Sequence, residues 1–336
     1  MRVSFIVTPG GRGLAADGLA ALSAAALPGD DVIIVTARGM APVRLAEKPQ
    51  VGAGMRQGGQ RRDGVIWRVM RLGAVPPPSG AVTVNAGLAM ATGEAVVFLT
   101  RGARPDPAGM QAARKLLAQS GADLVLGRFN GAEAWNLPDQ AAALMMEAQP
   151  ARMLLRRSFV QSAGLRWDEG LPALAGDALH WRASLRAASV AFHDGLVAHV
   201  PDPCEAEPGA EARGEVFALY RDLLAEAGPD AAPALRNWLA RQVGRDLAAL
   251  PLDEYWRYAE AAAPVPPGGD WPAGRGGRAL AALAMRPVWQ AVALWQAEAL
   301  WPDHPPAEPP PDWPRPQATS RAIALWRRWR AGSDSA

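Results

Sequence analysis

The residues best placed to bind phosphate come first in the chain. Gly11-Arg12-Gly13-Leu14-Ala15-Ala16 fits G-x-G-x-x-A between an apolar run and a helix. In that spacing the glycines let backbone N–H groups approach a pyrophosphate at a helix N-terminus. The acid that would hold an adenosine ribose is missing after the second apolar run. Arg38 lies close by instead, and a guanidinium there suits the 2′-phosphate of NADP. This defines one reading, an NADP-binding oxidoreductase. The same turn in a Gly-rich chain also serves tight packing. Other chemistries find less support. Cys204 is the only cysteine, so no disulfide forms within the chain, and a lone thiol fits a reducing compartment. His193, His199 and His304 show no metal-ligand spacing. Neither G-x-S-x-G nor a phosphate-loop lysine is present.

The elements that must position such residues alternate along the first two hundred positions. Val3–Thr8 reads as a buried strand ending in Pro9-Gly10-Gly11, Leu14–Leu27 as a helix and Val32–Thr36 as a second strand. Strand, helix and strand at this spacing predict parallel pairing. Residues 37–64 read as a long loop with some helix, Val65–Leu72 as a strand, 84–91 as a helix and Ala95–Thr100 as another buried strand. Asp106-Pro107 predicts a capped helix start, with Gly121 as its stop. Strands are expected at 123–129, 153–156, 189–192 and 196–200, and helices at 157–163 and 177–187. Beyond Pro201 only helical patterns remain, at 212–227 and 231–249. Pro-rich linkers at 264–272 and 302–316 follow, enclosing an Ala/Trp-rich helix.

Bulk composition excludes some classes of partner. The 35 Lys plus Arg nearly balance the 33 Asp plus Glu, a net charge of +2. A general nucleic-acid binder would carry a basic field instead. The apolar run Val3–Val7 is too short for a signal-peptide core. No apolar run approaches the roughly 20 residues of a membrane span. A cytoplasmic protein is expected.

A second reading draws on more of the chain. Residues 85–107 read NAGLAMATGEAVVFLTRGARPDP. With VSFIVTPGG at the start, DDVIIVT at 30–36 and LLRRSFVQSAGLRWDEGL at 154–171, this segment resembles family 2 glycosyltransferases, which have the GT-A fold. The resemblance covers about residues 1–203. It implies an α/β, nucleotide-diphospho-sugar transferase-like domain with a mixed, mostly parallel sheet, followed by a C-terminal helical extension. The expected division is 1–203, a helical extension at 204–263, and a Pro/Trp-rich tail with two helices at 264–336. The implied activity is glycosyl transfer, with inversion at the anomeric carbon, from a nucleotide sugar to a glycan or lipid-linked acceptor.

Departures from the family pattern fall where its chemistry sits. The D-D that holds base and ribose matches Thr36 and Ala37, followed by Arg38. The metal-binding D-x-D matches Thr100-Arg101-Gly102, and the Arg before N-x-G is Val84. A hard divalent cation wants anionic oxygens, so no divalent metal or other cofactor is expected. Arg101 and Arg104 share that loop, and guanidinium groups bind phosphate oxygens bidentately. The donor contacts implied are thus Thr8, Pro9, Thr36, Arg38, Asn85, Thr100, Arg101 and Arg104. The family's catalytic E-D matches Gly176-Asp177, which makes Asp177 the candidate general base and His180, three residues on, a residue that orients it or the acceptor. Asp177 can also be read as a helix cap, and His180 as a packed side chain. The whole site can equally be read as decayed, leaving a non-catalytic scaffold in surface polysaccharide assembly.

The last third is rich in tryptophan: eight of the 13 Trp lie at or after residue 256. From Arg315 to Arg330 there are five Arg and no acid, with Trp326 and Trp329 on one helical face. Such a helix suits the anionic inner face of a membrane as a peripheral contact, or packs its Trp face onto the body of the protein.

Overall fold

The computed structural model of this chain describes residues 1–9, 16–37, 56–73, 80–100, 102–129, 148–200, 209–227, 231–262, 265, 271–286 and 288–300. Arg38, Arg101, the G-x-G-x-x-A turn, most of both Pro-rich linkers and the basic segment 315–330 lie outside them. The chain divides into two compact units, Met1–Glu205 and Ala206–Ala336.

The first unit contains β1 (Val3–Thr8), α1 (Ala16–Ala25), β2 (Asp31–Ala37), β3 (Arg56–Arg62), β4 (Val65–Leu72), α2 (Gly80–Ala89), β5 (Ala95–Thr100), β6 (Arg104–Pro105), α3 (Pro107–Ser120), β7 (Leu124–Phe129), β8 (Met153–Arg156), α4 (Arg157–Ser162), α5 (Ala175–Arg186) and β9 (Val190–His199). Its described strands form one sheet in the order β3-β4-β2-β1-β5-β8-β7-β9-β6. β4, β2, β1 and β5 run parallel, β8 runs against β5 and β7, and β9 is again parallel to β7. The sheet is therefore mixed and mostly parallel at its centre. That order differs from the doubly wound dinucleotide-binding arrangement.

Every residue of β1 is buried, as expected of a central parallel strand covered on both faces. Alternate residues serve opposite layers. Phe5 and Val7 join Leu22, Ile34, Leu99, Met110 and Leu117 on one face. Ile6 joins Ile33, Val84, Phe98, Phe159, Trp167 and Leu179 on the other. α3 is capped as its sequence predicts. The Asp106 side chain accepts from the Gly109 N–H at 2.8 Å, and Gly121 ends the helix at φ 69°.

Two polar networks tie the amino-terminal edge of the sheet together. Asp30, 1% exposed, accepts from the amides of Val3 and Leu27, each at 2.7 Å, and from Arg114 Nη2 at 2.6 Å. Asp31 accepts from the hydroxyl of Ser4, and from the amide and hydroxyl of Thr92 at 3.2 and 3.1 Å. Gly93 donates to Ser4 Oγ at 2.8 Å, and a Cβ at Gly93 would fall 2.6 Å from the Ser4 nitrogen. The A-T-G-E segment thus clamps β1 to β2 at this edge.

Three expectations need correction. Residues 56–62 form an antiparallel strand on β4 and not part of a loop. The sequence RQGGQRR offers no apolar periodicity, and the strand is defined by its backbone pairing with β4. Segments 189–192 and 196–200 belong to one strand, β9, whose pairing with β7 shifts register around Arg128. The Ala/Trp-rich helix is two helices, Arg275–Met285 and Val288–Leu300.

The second unit holds α6 (Ala210–Glu226), α7 (Ala232–Ala249), α8 (Tyr255–Ala262), α9 (Arg275–Met285) and α10 (Val288–Leu300). Asp246, fully buried on α7, accepts from Arg213 Nη1 at 2.9 Å, Gln242 Nε2 at 3.0 Å and Tyr258 Oη at 2.6 Å. Burial pushes its carboxyl pKa up despite these donors, and pushes the Tyr258 phenol well above its usual value. Trp295, 1% exposed, packs against Tyr255 and Tyr258 and donates to the Ala279 carbonyl at 3.2 Å. These aromatics are core. Among the described residues no helix is long and apolar enough to cross a membrane.

Candidate active site

Strand direction gathers the candidate residues at one edge. Thr8 ends β1 and sits directly opposite Thr100, the end of β5. β2 runs alongside β1 in the same direction and ends at Ala37. β8 runs the other way, so the 3₁₀ turn that leads into it, Pro150–Arg152, lies at this same carboxyl edge. α5 begins beside that turn. A Cβ at Gly176 would fall 2.9 Å from Pro150 Cγ and 3.1 Å from Trp167 Cη2. In open α/β sheets this edge is where ligands bind.

The structure treats the expected donor contacts differently. Thr8 is nearly buried and Pro9 buried, while Thr100 is half-buried at the rim. Gly102 follows at φ 81°, and the Ala103 amide returns to the Thr100 carbonyl at 3.0 Å, a tight turn in place of an acidic strand end. Thr36 is 2% exposed and donates its hydroxyl to the Met70 carbonyl at 3.3 Å. This bond ties β2 to β4. Asn85 is also redirected. Its Nδ2 donates to the Trp167 carbonyl at 2.9 Å and to Glu169 Oε1 at 3.0 Å, and its Oδ1 accepts from the Trp167 amide at 2.9 Å. Both ends of the amide latch α2 to the 163–171 turn. Arg104 lies on β6 opposite His199 and is ion-paired with Asp17 of α1.

Around α5 the arrangement is sharper than the sequence implied. The N-cap position belongs to Leu174, which makes no side-chain cap bond. Asp177 is therefore not the N-cap residue. It stands half-buried in the first turn, where an acid is favoured by the helix dipole by about 0.3–1 kcal/mol. His180 is fully buried, edge-on to the Trp181 ring at 6.3 Å. It packs on the core side of the helix. Gly176 has no room for a side chain, because Trp167, stacked at a tilt on Phe98 at 6.1 Å, and Pro150 fill the space.

Two side chains at this edge had no sequence signal. Arg152 is 3% exposed, donates through Nε to the Gly127 carbonyl at 2.9 Å, and lies 5.2 Å above the Phe129 ring. It brings a buried cation to the start of β8, next to the turn that carries Pro150. Asp17 meets Arg104 across 87 positions of sequence, a pairing no local pattern reveals.

Among the described residues no group of three His, Cys, Asp or Glu is arranged to hold a metal ion.

No protein-family model matches the sequence, and no curated protein sequence matches it. Solved structures do match the fold. Residues 1–349 of S. aureus TarS, in complex with UDP-GlcNAc, align with a TM-score of 0.67 at 14% identity, covering 90% of this chain and 92% of that one. The mannosyltransferase PcManGT from Pyrobaculum calidifontis, in complex with GDP-Man and Mn²⁺, aligns at 0.50 and 14% identity, covering 90% and 88%. The fold is GT-A-like. Likeness at this identity carries the fold and not the chemistry.

Proposed function

We propose that the chain transfers a sugar from a nucleoside-diphosphate sugar to a saccharide or lipid-linked acceptor, using its own cations where relatives of this fold hold a divalent metal. The observation that supports this most is the alignment of the GT-A-like fold with structures holding UDP-GlcNAc and GDP-Man. The rim of Thr8, Thr100 and the β5–β6 turn is the donor side in this reading, with Arg104 on β6 and Arg101, which follows Thr100 in sequence, meeting the diphosphate. Asp177 takes the proton from an acceptor hydroxyl as its oxygen bonds to the anomeric carbon. The bond from that carbon to the diphosphate breaks, and the leaving group keeps the electron pair. Guanidinium groups stabilise the charge that develops on it.

A second reading is a non-catalytic GT-A-like scaffold in surface polysaccharide assembly. The packing of Thr36, Asn85 and His180 into the protein, and the filled space at Gly176, favour it. A thermal-shift screen separates the two readings. The transferase should be stabilised by a nucleoside diphosphate or its sugar, by RT ln(1 + [L]/Kd), and not by NADPH. No shift with any nucleotide would leave the scaffold. A shift with NADPH alone would return the oxidoreductase. The basic Trp segment 315–330 is proposed to contact an anionic membrane from the cytoplasmic side. Liposome co-sedimentation lost on removing 315–336 would support that contact, and unchanged sedimentation would dismiss it.

A further inference from the structure

Arg104 is held by a carboxylate before any donor arrives. It lies four residues past the end of β5, and its Nη1 forms an ion pair with Asp17 Oδ2 in the first turn of α1, the helix that follows β1. The other Asp17 oxygen, Oδ1, accepts from the Gly18 amide at 2.9 Å. The side chains are 41% and 60% exposed. A contact this open to water is weakly held and free to exchange. The pair joins the strand-end turn of β5 to the helix leaving β1, the two elements that flank the Thr8–Thr100 rim.

We propose that Asp17 is an internal competitor for the donor diphosphate: it occupies Arg104 in the free protein and releases it when phosphate binds. This rests on the reading of the carboxyl edge as a nucleotide-sugar site. The chemistry favours the exchange. Asp17 offers Arg104 one oxygen through one guanidinium nitrogen, whereas a phosphate group takes a guanidinium through two parallel bonds and carries more charge. The Asp17 side chain thus sets the affinity of the site without entering the reaction.

The test measures binding of UDP and of GDP to the full chain by calorimetry at low ionic strength. Asp17→Asn keeps the oxygen that caps the Gly18 amide and removes only the charge. It should tighten binding of the diphosphate by about two- to fivefold, the range for an exposed ion pair, with the gain shrinking as salt is added. Arg104→Ala should weaken binding, and Asp17→Asn should have no further effect in the Arg104→Ala background. Equal or weaker binding by Asp17→Asn, or the same gain without Arg104, would overturn the competition while leaving the nucleotide site intact. Absence of UDP and GDP binding in the native chain and in every variant would instead remove the site itself, and the competition with it.

Discussion

Asp30→Ala should lower the stability of the α/β unit by about 3–5 kcal/mol, the range for breaking a buried ion pair from one side. Asp30 and Arg114 are 1% and 7% exposed and bonded at 2.6 Å. The same carboxylate also satisfies the amides of Val3 and Leu27. Removing it strands a guanidinium and two N–H groups away from water, and each unsatisfied group adds its desolvation cost. Urea unfolding followed by circular dichroism reads the loss, and Tm should fall by on the order of 10 °C. The paired change Asp30→Leu with Arg114→Met should be less costly than Asp30→Ala alone, since no charge is left unpartnered. A drop under about 1 kcal/mol for Asp30→Ala would show that water or rearrangement satisfies Arg114, and that this network does not hold the sheet edge.

Asp177→Asn should cut the turnover number for sugar transfer by about 10²- to 10⁴-fold, the contribution of a positioned general base. Stability should hardly change. Asp177 lies in the first turn of α5 and is not its N-cap residue; Asn keeps an oxygen acceptor at that position, so the loss is chiefly the first-turn charge, worth about 0.3–1 kcal/mol. Donor affinity should also be kept, because Asn preserves shape and hydrogen bonding capacity. The assay is transfer from whichever nucleotide sugar most stabilises the native chain, with Kd and Tm measured alongside. Turnover within a few-fold of the native chain would exclude Asp177 as the base. A large loss of Tm with the same loss of turnover would assign Asp177 to the structure of the helix.

The elements that were legible in the sequence are those with local signals. β1 and β5 are short, mostly apolar runs, and α3 has Asp106-Pro107 at its start and Gly121 at its end. The opposite case is β3, whose RQGGQRR lacks any pattern and exists through pairing with β4. The motif residues divide in the same way. Gly87 was visible as part of N-x-G, but its reason appears only in three dimensions: a Cβ there would meet Ile6 Cγ2 at 2.7 Å and Val35 Cγ2 at 3.0 Å, so α2 lies flush on the sheet. Asn85 was read as a donor contact because motifs mark position, whereas its amide is used by Trp167, 82 residues away. Thr36 follows from the match of motifs, and His180 from its three-residue spacing to Asp177. Their burial depends on the packing of β2 on β4 and of α5 on the core, which no residue spacing encodes. Thr8 and Thr100 meet at one edge because parallel strands of the same direction bring their ends together.

The central claim is that the carboxyl edge of the sheet binds a nucleoside diphosphate through protein cations and without a chelated metal. Titration calorimetry of UDP and GDP into the full chain, in excess EDTA and again with Mn²⁺, tests it most directly. One of the two nucleotides should bind with the same Kd in both conditions, and Arg104→Ala should weaken it. Binding that appears only with Mn²⁺ and vanishes in EDTA would contradict it.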